Sequence, residues 1–225
     1  PGTLILETEM EADTGRVRLI DFMPVRGRDG GNNADVVRIV EGISGRVAMQ
    51  MDLTIRFDYG HLVPWVTRSD GALGAVGGPD ALRLSTPVES QGEHLSTVAE
   101  FAVSKGDRVP FVLTWHPSHR PAPPDVDAES ALEDTEKWWR KWTDANTYRG
   151  EWEEAVDRSL ITLKALTYAP TGGIIAAPTT SLPEELGGVR NWDYRFVWLR
   201  DATFTLQTLL ISGYRREAVA WRDWL

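Results

Sequence analysis

The run Arg120-Pro-Ala-Pro-Pro124 divides this chain of 225 residues into two parts with different hydrophobic periods. Proline fixes φ and carries no amide hydrogen, so such a run neither lies inside a sheet nor starts in the middle of a helix. It reads as a stiff, extended linker. Before it the period is two. The clearest case is Val47–Phe57, where Val47, Met49, Met51, Leu53, Ile55 and Phe57 alternate with polar or small residues. Alternation of that kind describes a sheet with one buried face. Further strands are predicted over Thr3–Met10 and Arg16–Phe22, with Asp13-Thr-Gly15 as their turn, and over Leu95–Val103 and Val109–Trp115, joined at Lys105-Gly-Asp107. Short strands without intervening helices favour an antiparallel sandwich over a βαβ fold.

Beyond the prolines the period becomes helical. Glu129–Trp142 carries Leu132, Thr135, Trp138/Trp139 and Trp142 on one stripe, with Ser130…Glu133 as its capping box. Glu151–Thr167 places Trp152, Val156, Leu160, Leu163 and Leu166 on one face, and Glu154–Arg158 has the order that supports a helix. A third helix is predicted from Ala202 to Ile211, closed at Gly213, and a fourth from near Arg216. That last pattern runs to Leu225 without a stop signal, which predicts a domain that continues. Leu160, Leu209 or Trp221 would then face absent neighbours.

Charge narrows the function. The net charge of −9 opposes nucleic acid, anionic membrane and polyanionic substrates. With no cysteine there is neither disulfide nor thiolate chemistry. No apolar stretch reaches transmembrane length. No leader with a basic start and apolar core is visible, so the expected compartment is the cytoplasm. The glycine-bearing loop Arg26–Gly31 lacks the spacing and the following helix of a phosphate cradle. Gly42–Gly45 and Gly71–Gly78 read as turns. His116-Pro-Ser-His119 has no nearby partners to complete a metal shell, so no metal is expected and these histidines are assigned to a rim or contact role. No cofactor is expected.

The segment with the most chemistry is Asn191-Trp-Asp-Tyr-Arg-Phe-Val-Trp-Leu-Arg-Asp201. Its four aromatics end in a vicinal Arg200–Asp201 pair. The guanidinium is a fork of donors and the carboxylate only accepts. Flat rings cover the C–H face of a sugar while such a pair fixes its hydroxyls. The same residues also suit an aromatic core cluster with a neighbouring ion pair, in which Asp201 caps a helix beginning near Ala202.

Pro178-Thr-Thr-Ser-Leu-Pro-Glu-Glu185, followed by Asn191–Leu206, resembles the start of the catalytic domain of glycoside hydrolase family 15, which holds glucoamylases, glucodextranases and trehalases. Gly150–Leu160 resembles its first barrel helix. Leu19–Pro24 and Phe111–Trp115 resemble the β-sandwich domain that prokaryotic members carry in front. The resemblance implies an incomplete antiparallel super-sandwich over residues 1–124, a helical linker over 125–146, and the first helices of an (α/α)6 barrel over 147–225. By position, Tyr194 and Trp198 correspond to the aromatics that wall the non-reducing glucose, and Arg200 and Asp201 to the pair that holds its hydroxyls. Trp192 and Asp193 lie in the same block as contacts or as support behind it.

The implied activity is an inverting, exo-acting α-glucoside hydrolase, glucoamylase-like and releasing β-glucose from malto-oligosaccharide. A trehalase acting on trehalose is the alternative within the family. A carbohydrate-binding or structural sandwich module is the alternative outside it. The catalytic acid and base are expected beyond Leu225, and the segment before Gly2–Glu9 is expected to hold further strands. Glu184 and Glu185, adjacent on a Pro/Gly-bounded loop, match no catalytic position of the family. Oligomeric state is not implied.

Overall fold

A computed structural model describes residues 2–25, 33–69 and 71–225. The loop Arg26–Gly31 therefore lies outside the described residues. Two compact units are present, one formed by Leu4–Val25 and the described residues as far as Glu136, the other by Lys137–Leu225 with Gly2 and Thr3.

The first unit is an open antiparallel β-structure. Its strands are β1 (Leu6–Ala12), β2 (Gly15–Phe22), β3 (Ala34–Leu53), β4 (Trp65–Ser69), β5 (Ala72–Gly77), β6 (Asp80–Ser85), β7 (Gln91–Glu93), β8 (Ser96–Ser104) and β9 (Arg108–Pro117). The main sheet runs β1-β2-β3-β9-β6-β5-β4, and β3 carries the chain into a second layer with β8 and β7. Ala34–Glu41 pairs with β9, whereas Arg46–Leu53 pairs with β8.

The change of partner falls on Gly42-Ile-Ser-Gly45, so this segment is the bend of a 20-residue strand rather than the turn expected from its glycines. Gly45 has φ +65, and a Cβ there would fall on the Thr14 carbonyl oxygen. A Cβ on Gly42 would fall on that of Ser104. Only glycine lets the three backbones approach so closely. Gly71–Gly78 is likewise mostly strand, since β5 runs through it to Gly77.

The inner cluster comprises Val17, Val40, Val47, Ile55, Leu73, Ala75, Leu84, Val103 and Phe111, packed between the two layers. The predicted alternation of Met49, Met51 and Leu53 contributes to it. The other face of the main sheet is also covered. Ile20, Phe22, Val37, Ile39 and Val112 pack there with Ala128, Val126 and Leu132.

Four helices follow: α1 (Ala128–Thr143), α2 (Glu153–Ala165), α3 (Leu199–Ile211) and α4 (Arg215–Trp224). The fold class is thus the expected one, an incomplete antiparallel sandwich followed by the opening helices of an α-helical barrel. Capping of α1 differs from expectation. The Asp127 carboxylate accepts the Ser130 amide at 2.7 Å, so Asp127 and not Ser130 closes the helix start. Arg158 donates to the Thr3 carbonyl at 3.0 Å. His116 is buried in β9 with Nδ1 3.1 Å from the Pro117 carbonyl, a core position rather than a rim. No helix among the described residues is long and apolar enough to cross a membrane.

In the helical unit Leu160 and Leu209 are fully buried and pack with Tyr214, Trp142 and Val156. They do not face empty space as expected, because α2, α3 and the end of α1 already enclose them. Trp221 is half-buried, and exposed apolar positions lie elsewhere on α3, at Leu199, Phe204, Leu210 and Ile211, and on α4, at Val219 and Trp224.

Candidate functional site

The aromatic block reaches its position through a chain of backbone contacts that begins at the end of α2. Thr167 bridges Ile174, which is buried, and the turn between them closes through Tyr168 N–H to the Gly173 carbonyl at 2.8 Å. Gly172 and Gly173 lie flat against Ala220 and Trp224 of α4, with no room for a Cβ at Gly172. From Ala176 the chain pairs irregularly with the aromatic block. Ala176 N–H donates to the Phe196 carbonyl at 3.1 Å, Ala177 to Tyr194 at 2.9 Å and Ser181 to Trp192 at 2.7 Å. Glu184 N–H donates to Arg190 at 3.0 Å and closes the hairpin. The tip is apolar and open, with Leu182, Leu186 and Val189 almost wholly exposed.

Within the block, Tyr194 and Trp198 approach edge to face, their ring centroids 6.0 Å apart at 69°. The Arg200 guanidinium lies 6.0 Å from the Trp198 ring centroid. Arg200 Nε and Nη2 donate to Asp201 Oδ2 at 3.2 and 3.1 Å. The sequence-predicted residues Tyr194, Trp198, Arg200 and Asp201 therefore form one connected run of ring, ring, guanidinium and carboxylate. It is not a core cluster: Trp198 and Arg200 are exposed, the Arg200 side chain by 71%.

The helix begins earlier than its apolar pattern indicated. Trp198 is the N-cap in extended conformation without a side-chain cap bond, and Asp201 sits in the first turn of α3. A carboxylate there is favoured by the helix dipole. Asp201 thus lies inside the first turn rather than ahead of it.

Asp193 and Trp192 have separate partners. Asp193 accepts Arg195 Nε at 2.9 Å, Nη2 at 2.7 Å and the Arg195 amide at 3.0 Å. It sets the bend of the loop. Trp192 donates its amide to Ser181 Oγ at 2.8 Å and its indole to Glu184 Oε1 at 3.4 Å. Glu184 Oε2 is 3.7 Å from Arg190.

Elsewhere in this unit the helices enclose a polar cluster that the sequence did not reveal. Glu217 of α4 is only 6% exposed. Its Oε1 accepts Trp142 Nε1 at 3.0 Å and lies 2.8 Å from Lys164 Nζ. Burial alone would raise this carboxyl, but the hydrogen bond and charge of Lys164, joined by Trp142, hold it below the ordinary glutamate value. Tyr214 stacks on Trp142 at 4.1 Å and donates to the Trp142 carbonyl at 3.0 Å. Burial, and then the negative charges of Asp157, Glu217 and Asp144, push its phenol up to about 12. Buried Asn146 donates to Asp157 at 2.7 Å. The only sequence signal for this cluster was a glutamate on a helix face shared with apolar residues. Among the described residues no group of three or more histidine, aspartate or glutamate side chains could hold a metal ion.

The chain is similar to several known proteins. Residues 150–225 match the family model described as Glycosyl hydrolases family 15. Over 97% of its length the chain is 34% identical to a trehalase of Thermoplasma acidophilum and 36% identical to a trehalase of Mycolicibacterium smegmatis. The chain spans 38% and 36% of those two proteins. Among solved structures, a human-microbiome protein described as a kojibiose phosphorylase superposes with a TM-score of 0.53 over 96% of this chain and 33% of its own, at 10% identity. At that identity the likeness concerns the fold. The chain is thus similar to proteins named trehalase along nearly all of its length and, over residues 150–225, to the family 15 glycosyl hydrolases.

Proposed function

We propose that the complete protein is a family 15 glycoside hydrolase acting on α-glucosides, and that its substrate is trehalose. In this reading residues 1–124 are a β-sandwich domain, 125–146 a linker and 147–225 the start of the catalytic barrel. The observation that carries the reading is the connected run Tyr194, Trp198, Arg200 and Asp201. Two rings at a steep angle form a corner for the apolar face of a glucose. Arg200 supplies donors, and both of its bonds to Asp201 fall on Oδ2, so Oδ1 remains to accept a hydroxyl. Contacts of this kind speed the reaction when they tighten as the ring flattens toward an oxocarbenium-like state.

What favours trehalose over the malto-oligosaccharides suggested by sequence resemblance is the likeness to proteins named trehalase along nearly the whole chain. Inverting hydrolysis needs a carboxylic acid and a carboxylate base about 6.5–9.5 Å apart. Asp193, Asp201 and Glu184 are each engaged by an arginine, and none is assigned to either role. The acid and the base belong to other parts of the complete protein.

The test is hydrolysis of trehalose and maltose in parallel by the complete protein, with the anomers of the first products resolved. Inversion of trehalose gives one β-glucose from the attacked ring and one α-glucose from the leaving ring. Faster turnover of maltose would return the glucoamylase reading, and turnover of neither would remove the enzyme. In the same assay Asp201→Asn is expected to lower kcat/KM about ten- to hundred-fold, the size of one charge-assisted hydrogen bond. A lowered melting temperature with unchanged kcat/KM would instead make Asp201 a helix-end residue only.

A further inference from the structure

We propose that Trp192 is the platform for the second sugar ring of the substrate, and that Glu184 is the positioning residue that holds it. The proposal rests on the glucoside reading above and adds a residue pair outside the Tyr194–Asp201 run. Trp192 is 48% exposed, yet its backbone and ring are both tied down. Its amide donates to Ser181 Oγ at 2.8 Å, and its carbonyl accepts the Ser181 amide at 2.7 Å. Its indole N–H is directed at Glu184 Oε1, 3.4 Å away. Glu184 is in turn held by the hydrogen bond from its backbone N–H to the Arg190 carbonyl and by the Arg190 guanidinium, 3.7 Å from Oε2. A half-exposed ring ordinarily gains entropy by rotating. Fixing it in advance removes that loss from the binding step.

The placement says what the ring is for. Asp193 forms an antiparallel bridge with Thr180, so the chain is extended there. Residues on either side of an extended residue point to one face, which sets Trp192 beside Tyr194 with their Cα atoms about 7 Å apart. Trp192 therefore continues the wall of Tyr194 and Trp198 outward, toward the hairpin tip. The inner corner takes one glucose and the outer platform takes the next ring. With its N–H already engaged by Glu184, the indole offers its face, which suits the C–H side of a neutral sugar and not an anion.

The test compares three variants of the complete protein on two substrates. Trehalose has a second ring, whereas α-glucosyl fluoride has none. Glu184→Ala is expected to raise KM for trehalose about fivefold with kcat nearly unchanged, the size of one ordinary hydrogen bond and the pattern of lost uniform binding. It should leave KM for α-glucosyl fluoride unchanged. Glu184→Gln keeps an acceptor and should restore the trehalose KM to within about twofold. Trp192→Phe keeps a flat face without the N–H, and adding Glu184→Ala to it should change nothing further. The same factor from Glu184→Ala in both backgrounds, or an equal effect on α-glucosyl fluoride, would overturn the proposal. So would an active enzyme whose trehalose KM ignores Glu184→Ala, and in that case the glucoside reading stands. A complete protein that hydrolyses neither trehalose nor maltose removes both.

Discussion

The two units are stabilised by different physics. In the β unit most of the buried apolar positions are aliphatic, and Val37, Ile39, Ala75 and Val103 have no exposed surface, although Asp35 and His116 are buried there too. Its stability comes from apolar area and from backbones that meet at Gly42 and Gly45. In the helical unit aromatic and polar groups join aliphatic ones such as Leu160, Ile161 and Leu209 in the interior. Glu217, Asn146 and Ser212 are buried beside Trp139, Leu160 and Tyr214. That unit also leaves Leu186, Val189, Phe196 and Ile211 largely exposed. A cluster packed from aliphatic side chains carries no titrating group, while a buried ion pair among rings does. The difference gives the helical unit, which carries the candidate site, a weak point at the Glu217–Lys164 pair.

The largest expected effect is at that point. Lys164→Met removes the cation from Glu217 and leaves a buried carboxylate, which costs about 3–5 kcal/mol. The sign with pH follows from Glu217. In the wild-type chain its carboxyl lies below the ordinary value, so its contribution is present above that value and is lost as pH falls through the folded one. Without Lys164 the effects that lower it weaken and burial, which raises it, dominates. The carboxyl then takes up a proton at higher pH, and the stability gap between variant and wild type narrows on acidification. Denaturant melts from pH 7 down to about 4 measure this gap. A gap independent of pH would mean that Glu217 is not the partner that matters, and the contrast between the units would fail.

The counterpart in the β unit is Gly45→Ala. Left-handed backbone costs a non-glycine residue about 1–3 kcal/mol, and the clash with the Thr14 carbonyl adds to it. The expected loss should be flat across the same pH range, because no titrating group is involved in the clash. A pH-dependent loss there would break the comparison from the other side.

The same contrast explains what could be read from the sequence. The second half of β3 was legible because Val47–Phe57 alternates, with its apolar residues turned toward one core. The first half was not, because Val37 and Ile39 pack on one face while Val40 packs on the other. A strand buried on both sides has no alternation to detect. Gly42 and Gly45 read as a turn because glycine signals special backbone geometry without saying whether the chain reverses or merely bends. The helices were legible from their stripes, although α3 begins at Leu199, ahead of the predicted Ala202. Its first turn is written in the aromatic block and not in apolar spacing. Tyr194, Trp198, Arg200 and Asp201 could be chosen because they share one short segment, Asn191–Asp201, that resembles a known family. The Glu184–Trp192 contact and the Glu217–Lys164–Trp142 cluster could not, since each joins residues that only the folded chain brings together.

The smallest effect tests how far the aromatic core depends on its polar atoms. Tyr214→Phe keeps the ring stacked on Trp142 and removes only the hydroxyl that donates to the Trp142 carbonyl. One such bond is worth about 0.5–1.5 kcal/mol at neutral pH. The pH dependence provides a second reading. The phenol ordinarily loses its proton near 10.0, but burial and the neighbouring carboxylates push it up to about 12 in the folded chain. A group raised in this way stabilises fully below its unfolded value and loses that contribution as pH climbs toward the folded one. Wild-type stability should therefore fall between about 10 and 12, while the phenylalanine variant lacks that part of the fall. The two curves should converge, which denaturant melts at stepped alkaline pH would follow. Parallel curves would mean that Tyr214 contributes through its ring alone. The helical core would then be closer in kind to the aliphatic core of the β unit than its buried polar groups imply.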